Sequence, residues 1–88
     1  MAYQIKLKKS VLKDINKLPE NTIDKILIII EEKLSNNPRQ GKALKGKYLG
    51  LWRIRFGVYR IIYEIKSTEL VVLVVRISHR KDAYQGII

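Results

Sequence analysis

The stretch LWRIRFGVYRIIYEI, residues 51–65, carries arginine at positions 53, 55 and 60. A guanidinium is planar and always charged, and its fork of N–H donors matches a phosphate two bonds at a time. In an extended segment successive side chains alternate between faces. Arg53 and Arg55 therefore share one face, and Trp52, Ile54 and Phe56 take the other. With a tight turn at Gly57-Val58, Phe56 lies opposite Tyr59 and Arg55 lies opposite Arg60. Like charges directly opposite on a ladder repel. Two readings follow. Either Glu64 or a backbone carbonyl satisfies these arginines as part of an ordinary surface, or the cluster is built to meet an anion. Arginine rather than lysine favours bidentate contact with phosphate. Tyr48, Trp52, Tyr59 and Tyr63 lie close by, and aromatic rings beside a basic groove suit stacking with unpaired bases. Trp52 and Tyr63 have the parity of the buried face, so they belong to the core.

The later stretch RISHRKDAYQG adds Arg76, His79, Arg80, Lys81 and Tyr84. It follows the last strand of the chain and can reach the same sheet face. His79 is the one histidine, and histidine is the side chain that changes charge near neutral pH. No second histidine, carboxylate pair at useful spacing or nucleophilic serine set against a base accompanies it. Metal chemistry and triad chemistry are therefore unsupported. No glycine loop suited to cradling phosphate is present either, and no cofactor is implied.

These residues need a scaffold. Tyr3, Ile5 and Leu7 alternate with Gln4, Lys6 and Lys8, the pattern of a half-buried strand. Ser10 is placed to cap a following helix, in which Val11, Leu12, Ile15 and Leu18 share a face. Pro19 ends that helix and, with Glu20, suits the first turn of a second. Ile23, Ile26, Leu27, Ile30 and Leu34 keep helical spacing to about Leu34, with Ile28 and Ile29 widening the apolar face. Asn36-Asn37-Pro38 stops it. Arg39 to Gly46 reads as a basic loop. Three strands follow, Tyr48 to Phe56, Tyr59 to Ile65 and Leu70 to Ile77, joined by turns at Gly57 and at Lys66-Ser67-Thr68. Short connections make them an antiparallel meander. Leu70–Val75 is apolar on both faces and so is placed centrally. The expected fold is α+β, in the order β-α-α-β-β-β, with a helical hairpin packed on a small, mainly antiparallel sheet.

The chain has 88 residues, which predicts a single domain over 1–88. Its 47% apolar content suits a globular protein rather than a disordered one. There is no cysteine, which fits a reducing, cytoplasmic location. Neither long apolar run, Ile26–Ile30 or Leu70–Val75, approaches the roughly 20 residues that cross a bilayer. Lys6, Lys8 and Lys9 precede any apolar stretch, unlike a signal peptide. The net charge is +10. Between Lys33 and Tyr63 the chain has eight basic residues and no acid. Surfaces kept only for solubility usually mix signs, so this imbalance points to an anionic partner.

LKGKYLGLWRIRFGVYRIIYEI followed by VVRISHRKDAY resembles the RelE/ParE superfamily of bacterial and archaeal toxins. The likeness runs from Tyr3 to Tyr84 and includes the element order. It implies the toxin of a toxin–antitoxin pair. RelE-like members cleave messenger RNA in the ribosomal A site, and ParE-like members poison DNA gyrase. In the RelE branch, cleavage rests on two basic residues of one strand, an arginine at the start of the next, and an arginine and a tyrosine near the C-terminus. The matching positions are Arg53, Arg55, Arg60, Arg80 and Tyr84, which favours the RelE branch. Lys45, Lys47, His79 and Lys81 are the expected substrate-binding residues beside them. The implied partners are an acidic RelB-like antitoxin in a hetero-oligomer, the ribosome and messenger RNA, with no membrane and no metal. RelE-type enzymes often carry lysine where this chain has Arg53 and Arg55, and a guanidinium is a poor general base because it stays protonated.

Overall fold

The alternating N-terminal segment forms strand β1, Gln4–Leu7. It leads directly into helix α1, Lys9–Asn16, and then α2, Glu20–Ile29. The remaining strands are β2, Lys42–Ala43, β3, Leu51–Phe56, β4, Tyr59–Lys66, and β5, Val71–His79. The structure is a computed structural model and describes residues 2–79. The five strands form one sheet in the order β1-β5-β4-β3-β2. Only β1 and β5 run parallel. A parallel pair needs a crossover, and the α1–α2 hairpin begins it, packing against one face of the sheet. The α+β order expected from the sequence is therefore present, with one added strand.

That strand, β2, lies within the segment read as a loop. Two residues are too short to show a period. β2 exists because Lys42 and Ala43 dock on the edge of β3, opposite Arg53 and Trp52, and Leu44 N–H donates to Leu51 O at 2.9 Å. β3 begins at Leu51 rather than Tyr48. Gly46–Tyr48 is instead a helical turn, and Gly50 at φ 98° turns the chain into the strand.

Helix α1 starts one residue before Ser10, and no side chain caps it. Lys8 N–H continues the ladder to Val74 O at 2.9 Å, while Lys8 O accepts from Val11 N–H at 2.8 Å. The last ladder bond and the first helical bond thus share a residue, leaving no room for a serine cap. Val11 is buried, but Leu12 stands 53% exposed rather than in the core. Helical structure continues past α2 to Leu34, as its spacing predicts, but the final turn, Ile30–Leu34, is a π-helix. Side chains satisfy its last carbonyls: Asn36 Nδ2 donates to Glu32 O at 2.7 Å and Gln40 Nε2 to Lys33 O at 2.6 Å, and Ser35 Oγ donates to Glu31 O.

The core is one cluster. Val11, Ile26, Ile30 and Leu34 from the helical layer meet Ile61, Tyr63, Val72, Val74 and Ile77 from β4 and β5. Trp52, Ile54, Phe56 and Tyr59 pack against it, as their parity predicts. Tyr63 is fully buried, and its hydroxyl donates to Pro38 O at 2.6 Å. No helix among the described residues is long and apolar enough to cross a membrane.

Candidate functional site

Helices cover one face of the sheet, and the arginines occupy the other. Partners on adjacent strands share a face, so the register defines rows across β3, β4 and β5. One row is Arg55, Arg60 and Ser78. The next is Arg53, Ile62 and Arg76, extended to Lys42 on β2. The expected pairing of Arg55 with Arg60 and of Phe56 with Tyr59 is present.

Arg76 joins this face through an irregularity. Ile62 pairs with Arg76 while the next residue of β4, Tyr63, pairs with Val74, so Val75 is left over as a bulge. Val72 and Val74 point to the core, and beyond the bulge so does Ile77. Without the extra residue the parity of β5 would place Arg76 among the helices. No sequence signal marks the bulge, because Val71–Val75 is apolar throughout. The sequence shows Arg76 only as one cation of a basic C-terminal stretch, and nothing in its spacing marks it as a site residue.

The electrostatics of the two rows differ. Glu64 lies on the same face, in register with Leu51 and Leu73, and so diagonally beyond Arg53. It is four residues along β4 from Arg60, about 13 Å at the rise of a strand. Among the described residues, the Arg55–Arg60 pair therefore has no carboxylate in its own row or in the neighbouring one. Arg55 is exposed and Arg60 half-buried. Arg60 Nε and Arg76 Nε are buried without a hydrogen-bond partner. Leaving a buried charged donor unsatisfied costs about 1–3 kcal/mol or more. Ile62 sits between Arg53 and Arg76 in register, fully buried, as an apolar floor for the cluster. The face can bind an anion, orient it by forked donors and stabilise added negative charge. Arginines do not exchange protons near neutral pH, so Arg53, Arg55, Arg60 and Arg76 supply charge rather than acid–base chemistry.

The other expected residues fall in separate places. Lys45 and Lys47 are exposed in the β2–β3 loop, at the opposite end of β3 from Arg55. Lys47 Nζ stands 5.3 Å from the Tyr48 ring centre, a cation–π contact. The sequence lets the stretch RISHRKDAYQG reach the arginine face; Arg76 and Ser78 do so, and His79 does not. It pairs with Tyr59, on the helix side, and the two rings meet edge to face at 6.2 Å. Arg80, Lys81 and Tyr84 lie outside the described residues. Among the described residues, no group of three or more histidines, cysteines and carboxylates gathers as a metal site.

A family model described as the ParE toxin of type II toxin–antitoxin systems matches residues 5–84. The chain is 30% identical to toxin RelG of Mycobacterium tuberculosis over 86 residues, 97% of this chain and 99% of the relative. It is also 30% identical to putative toxin RelE1 of Methanocaldococcus jannaschii over 90 residues, 98% of this chain and 99% of the relative. Among solved structures, it resembles a chain of the toxin–antitoxin complex RelBE2 of Mycobacterium tuberculosis, with TM-score 0.86 and 28% identity, covering 91% of this chain and all (100%) of that one. A chain of the RelB–RelE antitoxin–toxin complex of Methanococcus jannaschii matches with TM-score 0.66 and 30% identity, covering 88% and 92%.

Proposed function

This chain belongs to the ParE toxin family of type II toxin–antitoxin systems, within the RelE/ParE superfamily, and from that premise we propose that it is a ribosome-dependent endoribonuclease cleaving messenger RNA in the A site. The observation that carries this reading is the Arg55–Arg60 pair, two like charges held in register with no carboxylate in their own or the neighbouring row among the described residues and a buried Arg60 Nε without a partner. Such a pair costs stability unless it meets an anion. The RelE names of the relatives support RNA as that anion.

The reaction is internal phosphoryl transfer. The ribose 2′-OH attacks the adjacent phosphorus, a new O–P bond closes the 2′,3′-cyclic phosphate, and the bond to the 5′-oxygen breaks. The 2′-OH proton is lost and the 5′-oxygen gains one. Arg60 and Arg80 hold the scissile phosphate, and Arg55 lies near the attacking or leaving oxygen. Arg53 extends the positive face, and Tyr84 stacks on a base or orients the 2′-OH. Forked donors aimed at the developing charge lower the barrier without moving a proton. These arginines are poor bases, and dependence on the ribosome to position the 2′-OH is what the likeness to RelE toxins implies.

An acidic, RelB-like antitoxin keeps the protein inactive. The charge of +10 favours such a partner, and the similar solved chains come from complexes with an antitoxin. The second reading, inhibition of DNA gyrase without cleavage, draws on the family model's ParE description.

The test is cleavage of messenger RNA on programmed ribosomes, reading fragments that end in a 2′,3′-cyclic phosphate. Arg60→Ala and Arg80→Ala should each lower cleavage about 100-fold or more, with unchanged circular dichroism. Gyrase supercoiling is measured in parallel. Inhibited supercoiling with intact messenger RNA would transfer the assignment to the gyrase reading.

A further inference from the structure

Strand β1 covers β5 only as far as the pairing of Leu7 with Val74. Beyond it, the edge of β5 from Arg76 to His79 has no neighbouring strand on that side among the described residues. The side chain of Asp14, near the end of α1, takes over there: Ile77 N–H donates to Asp14 Oδ2 at 3.1 Å. Between the end of α1 and this edge lies a cavity of about 320 Å³, lined on one side by Asp14 and Lys17, on the other by Arg76, Ser78 and His79, with Tyr59 beside them. A water occupies roughly 30 Å³ of liquid, so the space is far larger than a structural water needs. It sits at the lower end of the size range of small-molecule sites.

We propose that this cavity receives one nucleotide of the RNA strand, with an amino-bearing base against Tyr59 and Asp14 and its phosphate against Lys17 and Arg76. The inference rests on the endoribonuclease reading and names a subsite for it. The first argument is position. Arg76 and Ser78 line the cavity and also end the two arginine rows. Ser78 is next to Arg60 across the ladder, one strand spacing or about 4.8 Å away. A strand whose scissile phosphate lies on Arg55 and Arg60 meets the cavity at the neighbouring nucleotide. The second is the lining. Tyr59 and His79 meet edge to face at an interplanar angle of 80°. In such a pair one ring keeps its flat faces uncovered by the other, and a nucleobase can stack there. Lys17 and Arg76 give the positive charge that a phosphate requires.

The third argument sets specificity. One oxygen of Asp14 is committed to Ile77, and a carboxylate only accepts hydrogen bonds. Its second oxygen reads an exocyclic amine, which cytosine carries and uracil lacks. In place of that amine uracil presents a carbonyl, which would leave two acceptors facing each other.

The probes are cytidine and uridine 3′-monophosphate, titrated into the full chain while backbone amide shifts are followed. Cytidine monophosphate should move the Ile77 and His79 amides and bind about fivefold or more tightly than uridine monophosphate. Asp14→Asn keeps an acceptor for Ile77 but turns the second atom into a donor, so the preference should vanish or invert. Tyr59→Leu should weaken both ligands about tenfold while the cytidine preference remains. Equal affinity for both nucleotides in the unaltered protein, shifts confined to Arg55 and Arg60, or binding of neither would overturn the subsite. None of these outcomes bears on whether programmed ribosomes lose their messenger RNA, so failure of the subsite and failure of the endoribonuclease reading are separable.

Discussion

At the scale of the single residue, Arg60 sets stability against function. Its Nε is buried without a partner, and Arg55 stands directly opposite it. Both features oppose folding. Its aliphatic stem, by contrast, packs usefully at a half-buried position. Arg60→Met keeps most of that stem and removes both penalties. The variant should be more stable by about 1 kcal/mol, which raises Tm by roughly 5 °C for a domain of this size. Its cleavage on programmed ribosomes should fall about 100-fold or more. Thermal melts and the cleavage assay check the two halves. A lower Tm would mean that the guanidinium has a structural role, and the argument for an anion site would lose its main support.

At the scale of the element, the edge of β3 is held by one close approach. A Cβ added to Gly41 would lie 2.6 Å from Arg53 O and would also strike the Tyr63 hydroxyl. Glycine is needed here for space, since the carbonyl belongs to a strand and cannot swing aside. Gly41→Ala should cost about 1–3 kcal/mol, and it should loosen β2 together with the backbone that carries Arg53. The same contact supplies a pH dependence. Burial pushes the Tyr63 phenol up to about 12, while the Gly41 backbone amide pulls it down. The folded state therefore holds the proton after the unfolded chain, whose tyrosine ionises near 10, has lost it. Stability from this source is intact below pH 10 and declines as pH rises from 10 towards 12, by about 2–3 kcal/mol in all. Denaturant unfolding across that range should show the extra alkaline loss in the unaltered protein and not in Tyr63→Phe. Equal alkaline slopes in the two proteins would contradict the buried phenol.

At the scale of the whole molecule, the arginine cluster and the exposed apolar side chain of α2 lie on different faces. Arg53, Arg55, Arg60 and Arg76 gather on the face of the sheet opposite the helices. Ile28, on α2, is 53% exposed, and Leu27 and Ile30 of the same helical layer line a groove with Ile5, Leu7 and Glu31. An acidic, partly helical antitoxin can use both, its charge speeding encounter and its apolar face resting on α2. Ile28→Asp should weaken binding of the product of the adjacent gene by about tenfold or more and leave messenger RNA cleavage unchanged. Raising salt from about 50 to 500 mM should slow association far more than it speeds dissociation. Titration calorimetry and stopped-flow kinetics read these effects. An Ile28→Asp protein that binds as well as the unaltered chain would remove α2 from the interface.

Local rules were enough for much of this protein. Alternation in residues 51–56 separated Arg53 and Arg55 from Trp52, Ile54 and Phe56, and Gly57 fixed a turn that brings Arg55 opposite Arg60. Helical spacing identified Ile26, Ile30 and Leu34 as core, because a side chain's face follows from backbone period alone. Where a residue's place depends on a distant segment, the sequence was silent. β2 exists only because the edge of β3 accepts it. Arg76 reaches the arginine face only because the β4–β5 ladder skips Val75, and an unbroken apolar run holds no trace of that skip. His79 was separated from the arginines by the same register, one rung of alternation away from Ser78. Asp14 came to the free edge of β5 from a helix 63 positions earlier in the chain. Sequence determined which residues share a face within a strand, because that is a property of consecutive peptides. Tertiary structure decided which strands, bulges and helix ends meet, because that depends on long-range packing.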